Sequence, residues 1–228
     1  APTEGASATI ANPVNHTDAR SRRASFKELG ALYPLQLRGV DGTNGVAFSV
    51  RADEVVTSAR LSLNYAYSPA LLPDISHLRV LVNEQVVATI PVPREQAGQG
   101  LQRVIDIPAR LIGEFNRLNL QLIGHYTMEC EDPAHSSLWA NVGNDSVLEL
   151  TVNPLVLPND LALLPEPFFD RRDVRPLRLP IVFAGSPDAA QLEAAGTLSS
   201  WFGALAGFRG ASFPASIGQL PAKGSAVV

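Results

Sequence analysis

The sequence predicts a mainly β fold: an antiparallel β-sandwich over residues 31–153, then the first part of a parallel α/β domain over residues 177–228. Three observations carry this reading. From residue 31 on, apolar and polar residues alternate in short runs, the pattern of strands with one face on a core and one in water. Eighteen prolines and 17 glycines, with 7% aromatics, divide the chain into many short elements and argue against a helical bundle. Past residue 177 an apolar run is followed by helical spacing, which is how a parallel βαβ unit opens.

Residues 1–30 are rich in Ala, Ser, Thr, Asn and Arg and lack apolar periodicity, so they read as an extended N-terminal arm with Arg22 and Arg23 in solvent. Asp41-Gly42 and Asn44-Gly45 read as turns, and residues 46–50 as a short strand. Leu61, Leu63, Tyr65 and Tyr67 alternate with Ser62, Asn64 and Ala66; core packing is the expected role of both tyrosines. Leu78, Val80 and Val82 precede Asn83-Glu84, a hairpin turn into residues 85–90. Residues 101–107 form another strand, and residues 108–115 hold one short helical turn. Leu118, Leu120 and Leu122, then Leu148, Leu150 and Val152, complete the alternating set.

Residues 154–176 form a proline-rich linker in which Phe168 and Phe169 are candidates for docking on a neighbouring domain or partner. Residues 177–184 read as one strand covered on both faces. Ser186 is placed to cap a helix, with Pro187 in its first turn and Asp188 at the positive end of its dipole. Leu192, Ala195, Leu198, Phe202 and Leu205 form its packed face, and Gly207 stops it. Residues 211–213 are a second strand, and residues 225–228 begin a third, so the native polypeptide is expected to continue.

The chemistry is narrowed by exclusion. Lys and Arg total 18 against 22 for Asp and Glu, a net charge of −4, which argues against nucleic-acid binding and against attachment to anionic lipid by charge alone. A single cysteine rules out an internal disulfide framework and a cysteine-rich zinc site. No apolar run approaches the ~18 residues of a transmembrane helix. Neither Gly-x-Ser-x-Gly nor a nucleotide-binding glycine motif occurs. His125, Cys130 and His135 share one stretch, which we read as a loop between strands and not as a metal site. Glu129, Glu131 and Asp132 have no partner acid placed for glycoside hydrolysis. We therefore expect no catalytic residue, no metal and no cofactor.

Sugar binding needs other parts: aromatic rings on which pyranose faces lie, and amides or carboxylates for hydroxyls. The candidate glucan contacts are Tyr126, Trp139, His125, Glu129 and Asn141. For Trp139 a packed ring and an exposed platform both stand.

A set of short strings, in order, carries a resemblance: Ser68-Pro69-Ala70-Leu71-Leu72-Pro73, Phe115-Asn116-Arg117, Gly124-His125-Tyr126, Cys130-Glu131-Asp132-Pro133, Ser137-Leu138-Trp139, Asn159-Asp160-Leu161, Pro167-Phe168-Phe169-Asp170 and Ser200-Trp201-Phe202-Gly203. Over residues 31–228 the chain resembles the regulatory B subunit of bacterial cellulose synthase. The resemblance implies a jelly-roll, carbohydrate-binding-like sandwich followed by a flavodoxin-like α/β domain. It implies a non-catalytic, periplasmic accessory subunit, attached to the inner membrane by a C-terminal helix that this chain lacks. Its implied partners are the catalytic subunit, which polymerises glucose from UDP-glucose, and the emerging β-1,4-glucan. Other copies of the chain are further candidate partners, in a structural role without direct glucan contact. Family members are commonly described as binding cyclic di-GMP; no arginine-rich phosphate motif occurs in this segment.

Overall fold

The computed structural model describes residues 19–155, 157–158, 160–173, 175–222 and 224–228. Ten strands build the first unit: β1 (Arg20–Ser25), β2 (Leu35–Arg38), β3 (Asp41–Ser49), β4 (Glu54–Tyr67), β5 (His77–Val82), β6 (Gln85–Pro91), β7 (Leu101–Ile107), β8 (Phe115–Ile123), β9 (Trp139–Val142) and β10 (Val147–Pro154). One sheet runs β1-β10-β4-β9-β2, with β7 also paired to β4. The other runs β3-β8-β5-β6. Every pairing in both sheets is antiparallel.

The alternation seen in the sequence is the reason these strands form. Leu61, Leu63, Tyr65 and Tyr67 of β4 face Leu78, Val80 and Val82 of β5 and Leu118, Leu120 and Leu122 of β8 in one continuous core. Each such side chain withdrawn from water contributes about 1.5–3 kcal/mol, which is why one register is held against a slip that would turn the set outward. Asn83 and Glu84 both have positive φ, 49° and 66°, as a two-residue hairpin with the twist of its strands demands. The short helical turn expected after residue 108 is a 3-10 turn at Ala109–Leu111.

The structure departs from the sequence reading at several places. The arm expected over residues 1–30 does not extend through residue 30: β1 is an edge strand paired with β10 from Arg20↔Val152 to Ser25↔Val147, and Phe26 is fully buried. Residues 1–18 lie outside the described residues. Arg22 is bonded to Glu54 at 2.5 Å, so it is not a free solvated charge. Gly42 and Gly45 mark no turn. Both lie inside β3, where a Cβ would strike the Arg38 backbone and the Leu118 carbonyl respectively. Their role is close backbone approach.

Strands β9 and β10 run along the same side of β4, separated by Gly143–Ser146. There the Ser146 hydroxyl, fully buried, accepts from the Asn64 N–H at 3.0 Å, and the Gly143 N–H donates to the Asn64 carbonyl at 2.8 Å. The side chain serves a β4 N–H where the loop between the two strands offers no ladder bond.

The second unit contains β11 (Leu177–Arg178), β12 (Ile181–Phe183), helix α1 (Ala189–Ala206), β13 (Ala211–Ser212) and β14 (Ala215–Ile217). The single strand expected over residues 177–184 is split at Pro180, and its halves pair in parallel with β13 and β14. Val227 adds a parallel bridge to Ile181. The helix cap is Asp188, two residues after Ser186: its carboxylate accepts from the Gln191 N–H while the Gln191 side chain accepts from the Asp188 N–H. Gly207, φ 52°, ends the helix. Of the expected packed face only Phe202 is buried; Ala195 and Leu205 are half-buried and Leu192 and Leu198 are exposed, while Ala206, outside that face, is buried.

Candidate functional site

The sequence-predicted residues fall into two separate places. His125, Tyr126 and Glu129 belong to the long connection between β8 and β9. Glu131 organises it: one carboxylate oxygen sits 2.7 Å from His125 Nδ1, and the other accepts from the Tyr126 N–H at 2.9 Å. Burial pushes the Glu131 carboxyl up, but these bonds outweigh it and hold the group below its ordinary value. The Tyr126 ring stacks on His135 at 4.4 Å between centroids, and its hydroxyl accepts from the Asp132 N–H at 3.1 Å. Tyr126 also packs against the sandwich core. One face of its ring and its hydroxyl are thus engaged within the loop. Glu129 is exposed, its N–H directed to the Thr127 hydroxyl.

Trp139 and Asn141 stand elsewhere, on β9. Ala140 and Val142 are fully buried, so Trp139 and Asn141 point to the outer face of the sheet. Asn141 pairs in register with Gln36 of β2 and with Ala66 of β4. A shallow recess of about 490 Å³ lies over this face, lined among others by Asn64, Gln102 and Asn141. Pro34 also lines it, and the adjoining Tyr33 is 80% exposed. Sequence reading singled out neither Tyr33 nor the amides of β4 and β7. The available signal was the uncharged polar character of the outward positions on neighbouring strands.

Phe168 and Phe169 pack on the second unit. Phe169 is buried with Leu179, Phe202 and Ala206, and Phe168 meets Phe202 edge-on at 6.1 Å. The Arg209 guanidinium lies 4.3 Å from the centre of the Phe169 ring. Beside them a charged joint fixes this segment to the sandwich. Asp170, buried, accepts from the Ala52 N–H at 2.6 Å and from Arg172 at 3.1 Å. Arg51 donates to Asp53 and to Asp173, and the Ser49 hydroxyl donates to the Arg172 carbonyl. Sequence analysis missed this joint, although Asp170-Arg171-Arg172-Asp173 is a dense mixed-charge run.

Among the described residues, no three His, Cys, Asp or Glu side chains come together as a metal site, and no helix is long and apolar enough to cross a membrane. Cys130 is exposed and unpaired among them.

Comparison with known proteins follows the same division of the chain. Residues 19–154 match the family model described as the first CBM domain of cellulose synthase BcsB, and residues 160–228 match that of its first FD domain. A "Cyclic di-GMP-binding protein" of Pseudomonas fluorescens is 56% identical over 99% of this chain and 29% of its own length. A protein of the same name from Xanthomonas axonopodis pv. citri is 59% identical over 91% of this chain and 26% of its own. "Cellulose synthase 2" of Novacetimonas hansenii is 38% identical over 95% of this chain and 14% of its own. The chain therefore spans less than a third of the length of these relatives. With two consecutive domain families matched across the described sandwich and the unit that follows it, this chain belongs to the cellulose synthase BcsB family.

Proposed function

We propose that this chain is the glucan-contacting, non-catalytic front part of a regulatory subunit of bacterial cellulose synthase. The sandwich, read as a jelly roll, touches the emerging β-1,4-glucan, and the second unit, read as the start of a flavodoxin-like domain, supports it. The observation that carries the proposal is the open outer face of β9. There Trp139 and Asn141 stand side by side on a domain whose family is described as a CBM domain of cellulose synthase. The proposed setting is the periplasm, at the inner membrane, with the membrane-embedded catalytic subunit as partner. The names of the Pseudomonas and Xanthomonas relatives link such proteins to cyclic di-GMP. We read the complex as governed by that nucleotide and assign no residue of this chain to it.

Calorimetric titration of the 228-residue protein with cellotetraose tests the proposal. Saturable binding, weakened in Trp139→Ala and without release of shorter sugars, is expected. Absence of binding, or turnover of the oligosaccharide, overturns it.

A second reading, a structural module that assembles with neighbours or copies of itself, is favoured by the exposed Leu192, Leu198 and Trp201 on α1. Association lost on Trp201→Ser, with sugar binding absent in the parent protein, would select that reading.

A further inference from the structure

On the outer face of the first sheet, side-chain amides form a row that crosses four adjacent strands. Leu63 and Tyr65 are buried, so Asn64 of β4 points outward; Leu35 and Leu37 are buried, so Gln36 of β2 points outward; Asn141 of β9 does the same. Asn64 lies in register with Gln102 of β7, and Asn141 lies in register with Gln36. Asn141 opposes Ala66, two residues along β4 from Asn64, so the row Gln102, Asn64, Asn141, Gln36 runs obliquely, with a two-residue step between β4 and β9. Gln36 accepts a bond from Arg38 at 3.3 Å. The amides of Asn64, Gln102 and Asn141 show no hydrogen bond to another described residue, and all three line the same recess. Ala66, Gly100 and Gly143 complete its floor with little or no side chain.

We infer that this row is a track for an extended, uncharged β-1,4-glucan lying obliquely across the strands, about one sugar to each in-register step and a longer reach between Asn64 and Asn141. The inference rests on the proposed glucan contact and assigns it a place and a direction. Neighbouring strands are about 4.8 Å apart, close to the advance of an extended β-1,4-linked chain per sugar. Each amide both donates and accepts, as does each sugar hydroxyl, so the two sets satisfy one another without charge. The recess is lined by no Asp, Glu, Lys or Arg, which complements a neutral polyol and disfavours a charged polysaccharide. The small residues beneath allow the flat sugar ring to approach the sheet.

The test uses the 228-residue protein and a series from cellobiose to cellohexaose. Affinity is expected to rise up to about four or five sugars, the span of the oblique row, and then level off. Asn64→Ala and Asn141→Ala each weaken cellotetraose by about tenfold, the loss of one or two good hydrogen bonds. Gly100 provides a variant that spares the fold, because a Cβ there meets nothing within 4 Å. Gly100→Phe fills the recess and is expected to abolish binding with an unchanged melting temperature. β-1,3-linked glucans of equal length, whose chain curves, bind markedly less. If the parent protein binds cellotetraose and the amide and Gly100 variants bind it equally well, the track is rejected while glucan contact stands. If the parent protein binds none of the series, both fall.

Discussion

Arg51 and Asp173 stand 122 residues apart in the chain and meet with Nη1 3.2 Å from Oδ2, tying the end of the sandwich to the segment that leads into the second unit. The same guanidinium holds Asp53 at 2.6 Å, and Asp170 nearby takes the Ala52 N–H. The joint is largely shielded from water: the side chains of Arg51 and Asp173 are 14% and 11% exposed. Ion pairs so placed are costly to break singly, because the surviving charge is left without a partner.

Asp170→Ala is therefore expected to destabilise the protein by about 3 kcal/mol, since it strands the Ala52 N–H and part of Arg172. Denaturant unfolding checks this. A loss below about 0.5 kcal/mol, the level of an exposed surface change, would contradict the role given to the joint.

The same carboxylates predict acid sensitivity. Burial pushes Asp170 up, but the Ala52 and Arg172 N–H groups and the Arg172 side chain outweigh it, and the group lies below its ordinary value. Burial likewise pushes Asp173 up, while Arg175 and then Arg51 hold it well below the carboxylate range. A carboxyl whose folded value is depressed stabilises the fold above the unfolded value of about 3.9, and that contribution is lost as pH falls through the folded value. The melting temperature should hold from about pH 6 to about pH 5 and drop steeply below about pH 4. Asp173→Asn should flatten that drop; an equally steep fall in the variant assigns the acid sensitivity elsewhere.

Asn83 is expected to matter beyond its turn. Its Nδ2 donates to the Leu111 carbonyl at 2.8 Å and to Asn116 Oδ1 at 2.9 Å, and its Oδ1 accepts from the Arg117 N–H at 2.9 Å. Asn83→Ala loses these bonds and puts a side chain less suited to positive φ at 49°, so a cost of about 2–3 kcal/mol is predicted. Asn83→Gly restores the backbone freedom alone and should recover only a minor part, measured by thermal unfolding.

Ser146→Ala removes the hydroxyl that serves the Asn64 N–H inside the sheet and leaves that donor without its partner. The expected cost is about 1–3 kcal/mol. Hydrogen exchange at the Asn64 amide should accelerate locally; unchanged protection there would refute the role given to the Ser146 hydroxyl.

Where side chains alternate strictly, the sequence was a sufficient guide. β4, β5, β8 and β10 were legible because one face of each contributes to a single core and a one-residue slip would bury polar groups. β2 and β9 were not: each is four residues long, too short for a period to register, and each is stabilised by pairing in register with the other. β1 was hidden for a different reason. It is an edge strand written Arg-Ser-Arg-Arg-Ala-Ser, and its place is set by backbone pairing and by Phe26 beyond it. Gly42 and Gly45 resembled turn residues because the same small residue serves both a turn and a close strand contact.

Residue type alone singles out Trp139, Asn141 and Tyr126 as candidates; the structure places the first two on the outer face of β9 and engages Tyr126 with His135 and Asp132 within its own loop. The amides of Asn64, Gln102 and Gln36 escaped notice because no single one of them is unusual. Only the pairing of their strands brings them onto one face of the sheet.

The most direct test of the central claim, that this sandwich touches glucan on the outer face of β9 and performs no reaction, is a nuclear magnetic resonance titration of the isotope-labelled protein with cellohexaose. The account predicts shifts at Trp139 and Asn141 and at the strands on either side, with the sugar recovered intact. Shifts confined to the loop around Tyr126 and Glu131, or cleavage of the sugar, would contradict it.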